Sequence, residues 1–110
     1  MKFLTIGTFK DTLYMLPRAE YLKLMVPGVQ WVVDLKKKMG TKYSFYMTVE
    51  GKRSISIGEY SSFEEYFQSL QSPVAEAGHM NYESYPLIEY DEKSLKAAVA
   101  AVKAAIKATK

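Results

Sequence analysis

Cysteine is missing from all 110 residues, which excludes disulfides, thiolate metal sites and cysteine nucleophiles. Histidine and tryptophan occur once each, as His79 and Trp31. With one imidazole and no carboxylate pair at ligand spacing, no metal site and no cofactor are expected. Long apolar runs are also lacking: no stretch approaches the roughly 18 residues of a membrane-spanning helix. Met1–Ile6 run into Gly7-Thr8-Phe9-Lys10-Asp11 instead of an apolar region with a small-residue cleavage site. The expectation is a cytoplasmic protein with no membrane partner. An excess of one charge is absent from most of the chain, because residues 1–90 hold ten Lys/Arg and ten Asp/Glu. The net charge of +3 therefore comes from five lysines in residues 91–110 set against Asp91 and Glu92. A basic stripe confined to a tail is a weak footprint for phosphate, so no nucleic-acid partner is expected.

What is present is apolar and aromatic. The hydrophobic share of 48% against 25% charged is a globular balance. The length suits one domain at the small end of the range, where association often adds buried surface. Residues 2–9 read as a strand with apolar residues on both faces, Leu4 and Ile6 against Phe3 and Phe9. Residues 14–39 read as helical, with Pro17 at a first helical position and Leu22, Val26, Val29 and Val33 forming one apolar stripe. Pro27-Gly28 predicts a kink or two short helices. Lys36, Lys37 and Lys38 before Gly40 suit a helix C-terminus.

Residues 42–49 and 54–60 alternate as two strands of a hairpin joined at Glu50-Gly51-Lys52-Arg53. One face of the second carries Ser54, Ser56 and Gly58, which leaves room beside the sheet for a neighbouring chain or a ligand. Ser62-Phe63-Glu64-Glu65 is a capping box that starts a helix with Phe63, Tyr66, Phe67 and Leu70 on its apolar face. Ser72-Pro73 ends it, residues 74–80 form a loop or short turn, and 82–90 form a fourth strand in which Pro86 marks an edge or a bulge. The tail 92–109 is an amphipathic helix with Leu95, Val99, Val102 and Ile106 in line. It is expected to dock on its own domain or on a partner subunit.

The order is βαββαβ plus a C-terminal helix, an α+β class, ferredoxin-like arrangement of a four-stranded antiparallel sheet with helices on one face. Residues 1–90 make the domain and 91–110 the Ala/Lys helix. The free sheet face carries enough apolar surface to call for a two-fold homodimer.

Leu35-Lys36-Lys37-Lys38-Met39-Gly40, the hairpin, Tyr60-Ser61-Ser62-Phe63-Glu64-Glu65 and Met80-Asn81-Tyr82-Glu83-Ser84-Tyr85-Pro86-Leu87 resemble the dimeric α/β-barrel superfamily, and within it the muconolactone-isomerase-like branch. The resemblance covers about half the chain closely and nearly all of it in topology, though the Pro27-Gly28 break and the Ala/Lys tail depart from that branch. It implies a pocket between sheet and helices that binds or isomerises a small apolar or aromatic-derived molecule. For a lactone isomerase, a carboxylate such as Glu59 or Glu83 would abstract a proton beside a carbonyl. His79 is the one side chain with an ordinary pKa suited to proton transfer near neutrality. Some haem-degrading members of the superfamily place a histidine after the corresponding helix, which also makes His79 a candidate haem ligand. Tyr43, Phe45, Tyr46, Tyr60, Phe67, Tyr82 and Tyr85 are numerous enough to line an aromatic pocket, with Trp31 at its mouth or at a subunit contact. A non-enzymatic assembly module is the competing reading, and haem or cofactor-free oxygen chemistry the third.

Overall fold

The computed structural model describes residues 1–109. The strands are β1 (Lys2–Phe9), β2 (Tyr43–Met47), β3 (Arg53–Glu59) and β4 (Met80–Leu87). They form one antiparallel sheet in the order β2-β3-β1-β4. Helices α1 (Asp11–Tyr14) and α2 (Arg18–Met39) follow β1, α3 (Phe63–Ser69) and α4 (Pro73–Glu76) follow β3, and α5 (Glu92–Ala108) follows β4. The α+β class and the four-stranded antiparallel sheet are those read from the sequence, and the strand order fits a ferredoxin-like arrangement. β4 lies at an edge, where Pro86 costs the sheet no central ladder bond.

Strand alternation sorts the sheet into two faces. On the inner face, one cross-strand row is Tyr43, Gly58, Phe3 and Pro86. The next is Phe45, Ser56, Thr5 and Ser84, and the third is Met47, Ser54, Gly7 and Tyr82. Apart from Phe3 and Phe9 near the two ends of β1, the two central strands contribute only small side chains, while β2 at one edge contributes large ones. The inner face is therefore a trough. α3 seals one end of it: Tyr66 stacks on Phe3 at 4.0 Å between ring centroids and 9° between planes, and Tyr60 meets Tyr66 edge-on at 5.1 Å. Phe3, Tyr60 and Tyr66 are the buried core, with Met39 and Leu70 packed against it. The Tyr60 ring lies directly over Gly58, where any Cβ would come within 2.6 Å of its hydroxyl.

α2 spans the trough as one helix, which corrects the alternative of two short ones. Pro27 does not break it. Its ring fits helical φ, and because Pro27 is exposed, the carbonyl it frees can be hydrated. The helix turns its Met25, Gly28, Val32 and Leu35 side to the sheet, with Val29 and Val33 of the expected stripe also lining the cavity; Leu22 and Val26 do not reach it, and Val26 is 71% exposed. Gly28 sets that rotation, since it is buried and a Cβ there would stand 2.9 Å from the Val74 side chain of α4. Lys36 closes the helix end by donating to the carbonyls of Gly40 and Tyr43 at 2.9 and 2.6 Å.

Smaller corrections follow the same local chemistry. Ser62 accepts from the Glu65 amide at 3.1 Å as a capping box requires, but the Glu65 carboxylate reaches back to the Ser61 amide, at 2.9 Å, instead of that of Ser62. Residues expected as a loop or short turn begin with the single helical turn α4, which Ser72 caps through the Ala75 amide at 3.3 Å. Ser72-Pro73 thus starts a helix as well as following one, since proline suits the first helical position. The tail is helical, but it does not dock on the domain: Leu95, Val99, Val102 and Ile106 are each more than half exposed. The molecule reaches 64 Å along its longest axis.

Candidate functional site

The trough beneath α2 holds a cavity of about 390 Å³ that is partly open to solvent. Thr5, Ser54 and Ser56 form its floor, and Phe45 and Tyr43 stand on one side with Tyr82 on the other. Met25, Trp31, Val32 and Leu35 of α2 roof it, and Val74 closes the α4 end. No Asp, Glu, Lys, Arg or His lines it. The polarity it has comes from hydroxyls.

Three of those hydroxyls are phenols with serine neighbours. Ser56 lies in hydrogen-bonding reach of Tyr43, and Ser69 of Tyr60. Ser72 and Tyr82 are 2.9 Å apart. Burial pushes the Tyr43 hydroxyl up to about 12, and the neighbouring Tyr60 phenol adds to the shift. Burial likewise raises Tyr60 and Tyr82 above the usual phenol range. All three are neutral donors at physiological pH. Beneath them, Tyr66 forms a buried bridge, with its hydroxyl 2.8 Å from Thr5 Oγ1 and donating to Ser84.

These shifts predict alkaline instability. An unfolded tyrosine ionises near pH 10, so between pH 10 and about 12 the unfolded chain releases protons that folded Tyr43 retains. Stability from this source is complete below the unfolded value and is lost as pH rises through the folded one. Tyr43 alone accounts for roughly 2–3 kcal/mol across that window. Urea unfolding midpoints at about pH 9 and about pH 11.5 should therefore fall steeply, and Tyr43→Phe should flatten the drop. Equal midpoints at the two pH values would refute it.

Of the residues singled out from sequence, Tyr43, Phe45, Tyr60, Tyr82 and Trp31 line the cavity. Trp31 also donates its indole N–H toward the Ser69 carbonyl at 3.4 Å. The others lie elsewhere. Tyr46 and Tyr85 are on the outer sheet face, opposite Ile55 and Leu4 respectively, and Phe67 is 58% exposed on α3. Glu83 is also on the outer face, opposite Ile6, where it accepts from the Tyr85 hydroxyl at 2.7 Å. Glu59 sits at the end of β3 facing the Met1 amino group at 3.4 Å. His79 pairs through Nδ1 with Thr12 Oγ1 at 2.9 Å on the surface, so it offers no axial ligand to a haem in the cavity. The three acid–base candidates are thus separated from one another and from the cavity.

Sequence reasoning did not identify Ser69, Ser72 or the roofing residues Met25, Val32 and Leu35. Ser69 and Ser72 read as helix-end residues, and their facing the cavity depends on how α3 and α4 turn over the sheet. Among the described residues no cluster of three or more His, Asp or Glu could hold a metal ion, and no helix is long and apolar enough to cross a membrane. Comparison with known proteins finds no family model that matches the chain and no curated protein that matches it, so the use of the cavity rests on its own chemistry.

Proposed function

We propose that this is a homodimeric small-molecule-binding protein of the dimeric α/β-barrel kind, with an apolar ligand held in the trough beneath α2. The observation that carries the reading is the trough itself: small residues on the central strands, large ones at the β2 edge, and a helix laid across the opening. A cavity of about 150 Å³ takes one benzene, so 390 Å³ has room for roughly two to three rings. Its apolar walls with a few placed hydroxyls are the usual composition of a ligand site.

Binding is the better reading than isomerisation. Proton abstraction beside a carbonyl needs a base at the bound molecule, and the lining offers only phenols whose burial holds them protonated. The homodimer is supported by the outer sheet face, where Ile6 and Ile55 are neighbours, as are Leu4 and Ile57. The open stripe on α5 favours a role in further assembly, but assembly alone has no use for the trough.

Ser56→Leu tests the binding role, because it fills the floor without touching the core cluster. A screen of two- and three-ring apolar compounds, read on the single Trp31 indole resonance, should find saturable ligands for the parent. Ser56→Leu should weaken them by at least about tenfold while leaving thermal stability equal or up to ~1 kcal/mol higher, as cavity filling does. Ligands that bind the variant unchanged, or a parent that takes none, would defeat the reading.

A further inference from the structure

We propose that the cavity selects an uncharged ligand: an apolar ring skeleton bearing a hydrogen-bond acceptor such as a ketone or ester carbonyl, received by the Tyr43–Ser56 or Tyr82–Ser72 hydroxyls. This rests on the reading of the cavity as a ligand site and specifies what that site accepts.

The exclusion of charge follows from the lining. A carboxylate, phosphate or ammonium placed under α2 meets no opposite charge, and an unpaired ion in apolar surroundings is strongly disfavoured. The preference for an acceptor follows from counting O–H donors. In any phenol–serine pair, two O–H groups are present and one is used between the partners, so one is left over. The Tyr60–Ser69 pair is different, because Ser69 Oγ already donates to the Tyr66 carbonyl at 2.5 Å and so leaves a lone pair, not a proton, for its Tyr60 neighbour. Ser72 in the second pair accepts the Ala75 amide at 3.3 Å, which uses a lone pair and no proton. The pair of Ser72 and Tyr82 therefore keeps one O–H free. Tyr43 and Ser56, side by side in the lining, bring another such pair. The cavity thus has spare donors in two places and no cation. An acceptor group on the ligand is what such donors lack.

A matched series separates the class of ligand from the existence of binding. The probes are 2-ethylnaphthalene, 2-acetylnaphthalene and 2-naphthoate, titrated by two-dimensional NMR on the Trp31 indole N–H. The ketone should bind about threefold to tenfold tighter than the hydrocarbon, the net worth of one neutral hydrogen bond. The carboxylate should bind at least about tenfold weaker than the ketone. With both members of each pair removed, in Tyr43→Phe/Ser56→Ala/Ser72→Ala/Tyr82→Phe, the ketone should lose its advantage while the hydrocarbon keeps its affinity, an outcome that a loosened fold would not produce. If the hydrocarbon binds but the ketone gains nothing, or the carboxylate equals it, the assignment of ligand class is overturned and the binding site stands. If none of the three binds, both are overturned.

Discussion

Tyr66→Ala should cost the fold about 3–5 kcal/mol. Tyr66 is 2% exposed and ties the sheet to the aromatic cluster at the end of the trough. Its ring stacks on Phe3 and meets Tyr60, and its hydroxyl joins Thr5 of β1 to Ser84 of β4. Truncating a buried aromatic to alanine costs about 3–5 kcal/mol, cavity included. A domain has roughly 5–15 kcal/mol in total, so a large fraction of the stability goes with one side chain. Tyr66→Phe isolates the polar part. It keeps the stack and leaves the buried Thr5 hydroxyl without its partner, at about 1–3 kcal/mol. Phe67→Ala, one residue along the same helix but exposed, should cost less than ~1 kcal/mol. Urea unfolding followed by circular dichroism gives the three values; a Tyr66→Ala midpoint close to that of Phe67→Ala would show that the core lies elsewhere.

That contrast also marks how far the sequence could be read. Helix α3 presents Phe63, Tyr66, Phe67 and Leu70 at helical spacing, and the pattern alone cannot say which is innermost. The strands were more legible because their period is two. Once Ile55 and Ile57 were set against Ser54, Ser56 and Gly58, the small side had to be one complete face, and the trough follows from it. What pattern cannot supply is which face meets the helices. The serine face does, and the isoleucines look outward, which runs against the simplest rule of burial. α2 shows the same difficulty in a helix. It has apolar residues on several sides, so Leu22, Val26, Val29 and Val33 made a convincing stripe, yet the decisive residue was Gly28, whose missing side chain admits Val74. Close approach by a neighbour distant in sequence leaves no local signature.

The candidate site divides along the same line. Trp31 and the tyrosines of the inner face, Tyr43, Tyr60 and Tyr82, were found because aromatic density is visible in composition. Tyr46, Tyr85 and Glu83 went to the opposite face because strand alternation placed them one residue out of phase with the trough. Chemistry alone made Glu83 a plausible base; its register opposite Ile6 puts a sheet between it and any ligand beneath α2. The serine partners escaped notice because a serine at a helix end already has a structural explanation. Only the packed structure shows that Ser72 caps α4 with one lone pair and faces Tyr82 with the rest.

The outer face should respond to mutation as a subunit interface. Ile57 lies opposite Leu4 on β1 and Ser44 on β2, with Tyr85 beyond Leu4 on β4. Under the proposed homodimer this row packs against its own copy, and a two-fold axis repeats any substitution on both sides. Ile57→Asp therefore buries two unpaired carboxylates at once, each costing several kcal/mol. Sedimentation should show the parent at twice 12.5 kDa and the variant at 12.5 kDa. The cavity is on the other side of the sheet, so the monomer should retain the Trp31-detected ligands, which shows that it is folded. Val102→Asp on α5 is the matching control: its stripe is open in the same way, but four residues on one helix bury far less than the roughly 800 Å² per partner of a stable interface. It should leave the dimer intact. If Ile57→Asp remains dimeric while Val102→Asp dissociates, the tail and not the sheet joins the subunits, and the barrel-type dimer falls.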